Sequence, residues 1–98
     1  MFDLNSINSR YFQIRIDTIT LDVEPAKLKV LKRMLGLAKS REEDAIDDLT
    51  TVVAMILNKN KTGYTVPPEL INELNIDQVN AIINAYFDWL YQVKNSPN

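Results

Sequence analysis

Tyr11-Phe12-Gln13-Ile14-Arg15-Ile16-Asp17-Thr18-Ile19-Thr20-Leu21-Asp22-Val23-Glu24-Pro25 is the stretch that decides the architecture. It holds two runs of period two. Phe12, Ile14 and Ile16 point one way against Tyr11, Gln13 and Arg15, and Ile19, Leu21 and Val23 oppose Thr18, Thr20 and Asp22. Alternation rich in β-branched side chains marks half-buried strands. Only Asp17-Thr18 separates the runs, so they predict a hairpin, although the glycine that a tight turn prefers is missing. At Glu24-Pro25 the period changes. Proline suits the first helical position, where an N–H would be unpaired in any case. The spacing beyond it predicts a helix over 26–39, with Leu28, Leu31, Met34, Leu35 and Ala38 on one face. Lys29, Lys32, Arg33 and Lys39 take the opposite side, and Gly36 weakens the middle.

Ser40 and Glu43 then have the spacing of a capping box, and Glu42, Glu43 and Asp44 favour a positive helix end. They predict a second helix over 41–59, with Ala45, Leu49, Val52, Val53 and Ile56 on one stripe and Ile46 and Leu57 at its edge. Asn58 to Val66 reads as a loop, and Pro67-Pro68 introduces a short helix through Leu74. Asn75 or Asp77 caps a last helix to about Lys94. Residues 1–9 read as a polar lead-in that frays, and 95–98 as an exposed tail. The expectation is therefore one domain, 1–98, of α+β class and mainly α-helical: an N-terminal β-hairpin, three main helices and one short helical turn.

Composition narrows the chemistry. With 46% apolar and 24% charged residues, the 98-residue chain is an ordinary globular domain. It has no histidine and no cysteine, so the commonest general base, the strongest nucleophile, disulfides and thiolate metal sites are all lacking. Glu43 with Asp47, and Asp44 with Asp48, share helix faces at i,i+4, and read as a solvated acidic surface more readily than as a metal site, which would want further oxygen ligands from a loop. Lys59-Asn60-Lys61-Thr62-Gly63 lacks the glycine spacing and the strand-to-helix setting of a phosphate loop. No enzyme, cofactor or metal is expected. No segment has the ~18 apolar residues of a membrane span, and Met1 to Arg10 lacks the apolar run of a signal peptide, so a cytoplasmic protein is expected.

Two features point to binding. Six of the eleven basic residues lie between positions 27 and 41, and five acids follow at once. That segregation suits two neighbouring helices, or the basic face of one copy against the acidic face of another. A basic helix over 26–41 also admits a small nucleic-acid-binding regulator working through Lys29, Lys32 and Arg33, although the net charge of −2 and the adjacent acids oppose nucleic acid. In the last helix Ile76, Val79, Ile83, Tyr86, Phe87 and Leu90 form a stripe that Ile82, Trp89, Val93 and Tyr91 widen to about 200°, twice what a surface helix needs. Either that helix packs on several sides, or part of it meets a partner. Tyr86, Trp89, Tyr91 and Val93 are the expected interface anchors, because aromatic side chains bury large areas at little entropic cost. The basic face at Lys29, Lys32 and Arg33 is a secondary contact.

The strand pair leads through Glu24-Pro25-Ala26-Lys27-Leu28 into a first helix and a second. Leu74-Asn75-Ile76-Asp77-Gln78-Val79-Asn80-Ala81-Ile82-Ile83-Asn84-Ala85-Tyr86-Phe87 and a short polar tail follow. In length, element order and helix phrasing this resembles the tail assembly chaperones of long-tailed phages and prophages of Gram-positive bacteria, over most of the chain from about residue 11. The resemblance implies a non-enzymatic, self-associating helical protein of the host bacterial cytoplasm. Such a protein coats the tape measure protein, helps to recruit tail tube subunits and leaves before the virion is complete. It specifies no binding residue in this sequence.

Overall fold

The computed structural model describes residues 1–7, 9–39 and 43–92. Strands β1 (Phe12–Ile16) and β2 (Ile19–Val23) pair antiparallel, with Phe12 opposite Val23, Ile14 opposite Leu21 and Ile16 opposite Ile19. That register puts every large apolar residue of both strands on one face, as the alternation predicts. The two-residue turn is made without glycine because Asp17 takes φ +56°, a left-handed conformation that aspartate tolerates better than most residues.

Four helices follow: α1 (Leu28–Ala38), α2 (Ala45–Asn58), the short α3 (Pro68–Asn72) and α4 (Ile76–Tyr91). The predicted class holds, a hairpin followed by three main helices and one short one. Helix α2 lies at the centre and packs against α1, α3, α4 and β2. Its Val52, Val53, Ile56 and Leu57 are fully buried, with Val23, Met34 and Tyr86 closing the core around them. Helix α4 opens on a capping box: the Asn75 side-chain Oδ1 accepts from the Gln78 N–H, and the Gln78 Oε1 accepts from the Asn75 N–H, both at 2.9 Å.

Some boundaries shift. The first helix starts at Leu28 rather than 26, because the Tyr86 hydroxyl accepts from the Ala26 N–H (3.0 Å) and donates to the Glu24 carbonyl (3.2 Å), which holds Glu24–Ala26 extended. Pro25 therefore sits in a connector and not at the first helical position. Leu28, expected on the buried face, is 75% exposed, since that face is formed by Met34 with Val30, Leu31 and Leu37. The second helix starts at Ala45, with Asp44 in the cap position and Glu43 in the turn before it. Ser40, the other half of the expected capping box, lies outside the described residues, as do Lys94 and the tail 95–98.

The 59–61 backbone seals the outer edge of β2. Glu24 N–H donates to Lys59 O and Lys61 N–H to Asp22 O, each at 2.8 Å. Asn60, the one buried polar residue among those described, knots this turn: its amide nitrogen donates to the Leu57 and Tyr64 carbonyls, and its oxygen accepts from the Tyr64 N–H and the Thr62 hydroxyl. Gly63 completes it at φ +74°, where a Cβ would be strained. The Lys59–Gly63 run is thus a structural turn between α2 and α3.

Candidate protein-interaction surfaces

The aromatic end of α4 divides into core and surface. Tyr86 has no exposed surface, so its expected role as an interface anchor is corrected: it is a core residue of its own chain. Burial pushes its hydroxyl pKa above the ordinary tyrosine value, more than the Ala26 N–H and the Arg10 charge pull it down. Phe12 from β1 meets both Tyr86 and Trp89 at ring separations of 5.7 Å, edge-on to Tyr86 and tilted to Trp89. Trp89 is half-buried, and Arg10 lies over its ring at 4.2 Å. The same guanidinium donates to the Trp89 and Leu90 carbonyls at 2.8 and 2.9 Å, supplementing the Gln92 N–H that caps Trp89 and satisfying last-turn acceptors of α4. Tyr91 is 62% exposed and stacks on Phe87 at 6.4 Å. Val93 lies outside the described residues.

Most of the wide apolar arc of α4 is therefore buried by two layers of the same chain. Helix α2 packs on α4, whose Val79 and Ile83 are buried, and the hairpin covers another side, where Ile14 and Ile16 lie beside Ile82 and Phe12 beside Tyr86. Of the two readings left open by that arc, the structure shows the helix packed on more than one side. Sequence reading missed the hairpin's part because nothing local says which helix a strand pair will cover. It also missed Arg10, whose partners lie about eighty positions away along the chain.

Exposed apolar surface lies elsewhere. Met1, Phe2, Leu4 and Ile7 are all exposed around a 3-10 turn, Leu4–Ser6, held by the Asp3 carboxylate on the Asn5 N–H. Leu28, Ile46 and Ile76 are exposed on three different helices. Lys29, Lys32 and Arg33 stand exposed on α1, and the only salt bridge among the described residues lies elsewhere, Lys59 to Glu24 at 3.3 Å. The acids Glu43, Asp44 and Asp47 are exposed at the start of α2. Among the described residues no group of three or more carboxylates is placed to hold a metal, and no helix is long and apolar enough to cross a membrane. Compared with protein-family models, with curated proteins and with solved structures, the chain matches none.

Proposed function

We propose that this chain is a non-enzymatic assembly chaperone of a long-tailed phage or prophage. It self-associates in the host bacterial cytoplasm, binds the tape measure protein and helps to bring tail tube subunits to it, and is absent from the mature virion. The sequence resemblance supplies the class, and one observation supports a binding role. Nine large hydrophobic side chains are exposed among the described residues, four of them within Met1–Ile7. Scattered exposed apolar residues are ordinary, but a terminus with so many is covered at least part of the time by another polypeptide. The client contacts assigned here are that terminus, Tyr91 with the exposed edge of Trp89, and the basic face at Lys29, Lys32 and Arg33. The test is co-expression with fragments of a long helical protein encoded beside it, followed by size-exclusion chromatography. Co-elution that is lost on Tyr91→Ala or on deletion of residues 1–7 is the expected result; no co-elution with any fragment refutes the reading.

A small nucleic-acid-binding regulator is the second reading, favoured by the exposed α1 basic face alone. Steeply salt-dependent binding to a DNA or RNA duplex, lost when Lys29, Lys32 and Arg33 become alanine, would put it ahead of the first.

A further inference from the structure

The start of α2, the end of α3 and the start of α4 enclose a slot of about 280 Å³ walled by Ile46, Leu49, Ile71, Leu74, Ile76 and Val79. Burial falls off outward along its walls. Ile71 and Val79 are buried and Leu49 and Leu74 half-buried, while Ile46 and Ile76, on two different helices, are 63% and 45% exposed. One exposed isoleucine is ordinary, but two on the rim of the same apolar slot are a surface that lacks its cover. Two polar side chains on the wall are already engaged within the chain. The Thr50 hydroxyl donates to Ile46 O at 2.8 Å, and the Asn75 side chain caps α4.

The charge around the slot has one sign. No lysine or arginine occurs from Glu43 to Asn58 or from Thr62 to Gln92, and these stretches hold eight acids. Three of them, Asp47, Glu73 and Asp77, are immediate chain neighbours of wall residues, and all three are exposed. None takes part in the one salt bridge among the described residues. Lys59, beyond the far end of α2, is about 18 Å from Asp47 along the helix, outside the ~8 Å over which exposed charges act at physiological salt. Asp47 and Asp77 lie in first helical turns, where the positive helix end favours an acid. Each such end supplies only about half a charge, so two of them leave three carboxylates well short of neutral. Glu73 has no local reason of this kind, since it sits at the C-cap of α3, the end at which an acid is unfavourable.

We infer that this slot docks a basic segment of another protein, which lays aliphatic side chains against Ile46 and Ile76 and sets lysines or arginines against Asp47, Glu73 and Asp77. The slot lies at the small end of the range for ligand pockets and is open to solvent, so it fits a few side chains of a polypeptide laid across it and not an enclosed small molecule. The apolar contact supplies affinity, and the acids select the partner and speed its approach. None of the client contacts assigned above lies here, and the charge required of this partner is the reverse of what the Lys29, Lys32 and Arg33 face would take. The inference therefore goes beyond the proposed function and does not depend on it.

A capped helical peptide of repeating Leu-Leu-Lys-Lys, titrated into the isotope-labelled full chain and followed by amide chemical shifts, tests it. The expected shifts fall at Ile46–Thr50 and Ile71–Val79, with a Kd that rises about tenfold from low to moderate salt. The counterpart peptide with glutamate in place of lysine does not bind. Ile46→Ser, at an exposed position, weakens binding about tenfold and leaves the thermal melt unchanged. Glu73→Gln weakens binding about threefold yet does not lower the melt, because it removes an acid from a helix C-terminus. A merely structural residue would move the two readouts together. Shifts confined to other parts of the chain, equal binding of the glutamate peptide, or indifference to both substitutions overturns the inference. If the same amides shift with protein concentration and no peptide, the occupant is a second copy, which overturns the assignment to another protein. The probe is not the client of the proposed function, so failure here and failure of the co-elution test are distinguishable.

Discussion

Tyr86→Phe removes one oxygen atom from a side chain that is otherwise wholly enclosed. The ring, its edge-on contact with Phe12 and its burial all remain, so no cavity term enters. What is lost is the hydroxyl's bond from the Ala26 N–H at 3.0 Å and its longer bond to the Glu24 carbonyl at 3.2 Å. Both backbone groups are partly accessible to water, which places the cost at about 1–2 kcal/mol rather than at the larger cost of a sealed, unpaired group. In a domain of this size each kcal/mol lowers Tm by about 4–8 °C, so the variant should melt roughly 5–15 °C below the parent. The effect has a pH signature that simple loss of packing lacks. Burial raises the pKa of the folded-state hydroxyl above its unfolded value of about 10, so its stabilisation is complete below that pH and is lost as pH rises through the folded value. The stability difference between parent and variant should stay constant from pH 6 to about 9 and shrink above about 10. Urea unfolding followed by circular dichroism across that range measures it. Equal midpoints for the two proteins, or a difference that does not narrow in alkali, would refute the assignment of Tyr86 as the pin between the connector and α4.

Trp89→Ala should lower stability by about 2–4 kcal/mol, because it removes the contacts with Phe12 and Tyr86 and the Arg10 stacking; thermal denaturation will report it. Tyr91→Ala, at an exposed position, should change stability by less than about 0.5 kcal/mol while weakening client binding. Asn60→Asp leaves the Leu57 and Tyr64 carbonyls without their donor and buries a charge, for a loss of about 2–4 kcal/mol that is recovered in part at low pH, where the carboxyl is protonated. Asn75→Ala should cost about 1 kcal/mol through loss of the α4 cap, and amide exchange should speed up first at Gln78 and Val79.

What the sequence made legible was local. The hairpin is set by alternation and a two-residue gap, and the α4 cap by Asn75 and Gln78 three positions apart, so a few neighbours decide each. In α1 the apolar residues spread over most of the circumference: Leu28 and Leu35 lie on one flank, Val30 and Leu37 on the other. Which flank is buried depends on where α2 lies, and period alone does not contain that. The start of α1 was hidden for the same reason, since it is fixed by a hydroxyl sixty positions later in the chain. The interface residues fared according to their surroundings. Tyr86 and Trp89 share one stripe, but the hairpin lies over the first and only partly over the second. Arg10 was unreadable because a basic residue in a polar lead-in carries no sign of the helix end it clamps.

How the chain closes its sheet bears on how it can bind. A two-stranded sheet has two edges, and an exposed edge is the usual route for adding a peptide as a further strand. Here the outer edge of β2 is taken by the 59–61 backbone, through Asn60 opposite Val23 and the flanking hydrogen bonds at Glu24 and Lys61. The other edge, β1, is five residues long and carries Gln13 and Arg15 on its outward face, a short and polar template. Strand addition is therefore disfavoured, and apart from Tyr64 in the loop before α3 the large exposed apolar side chains are on helices and on the Met1–Ile7 segment. The hairpin covers α4 through Phe12, Ile14 and Ile16, and its second strand also packs on α2. Docking through helix faces therefore suits this fold better than the addition of a strand.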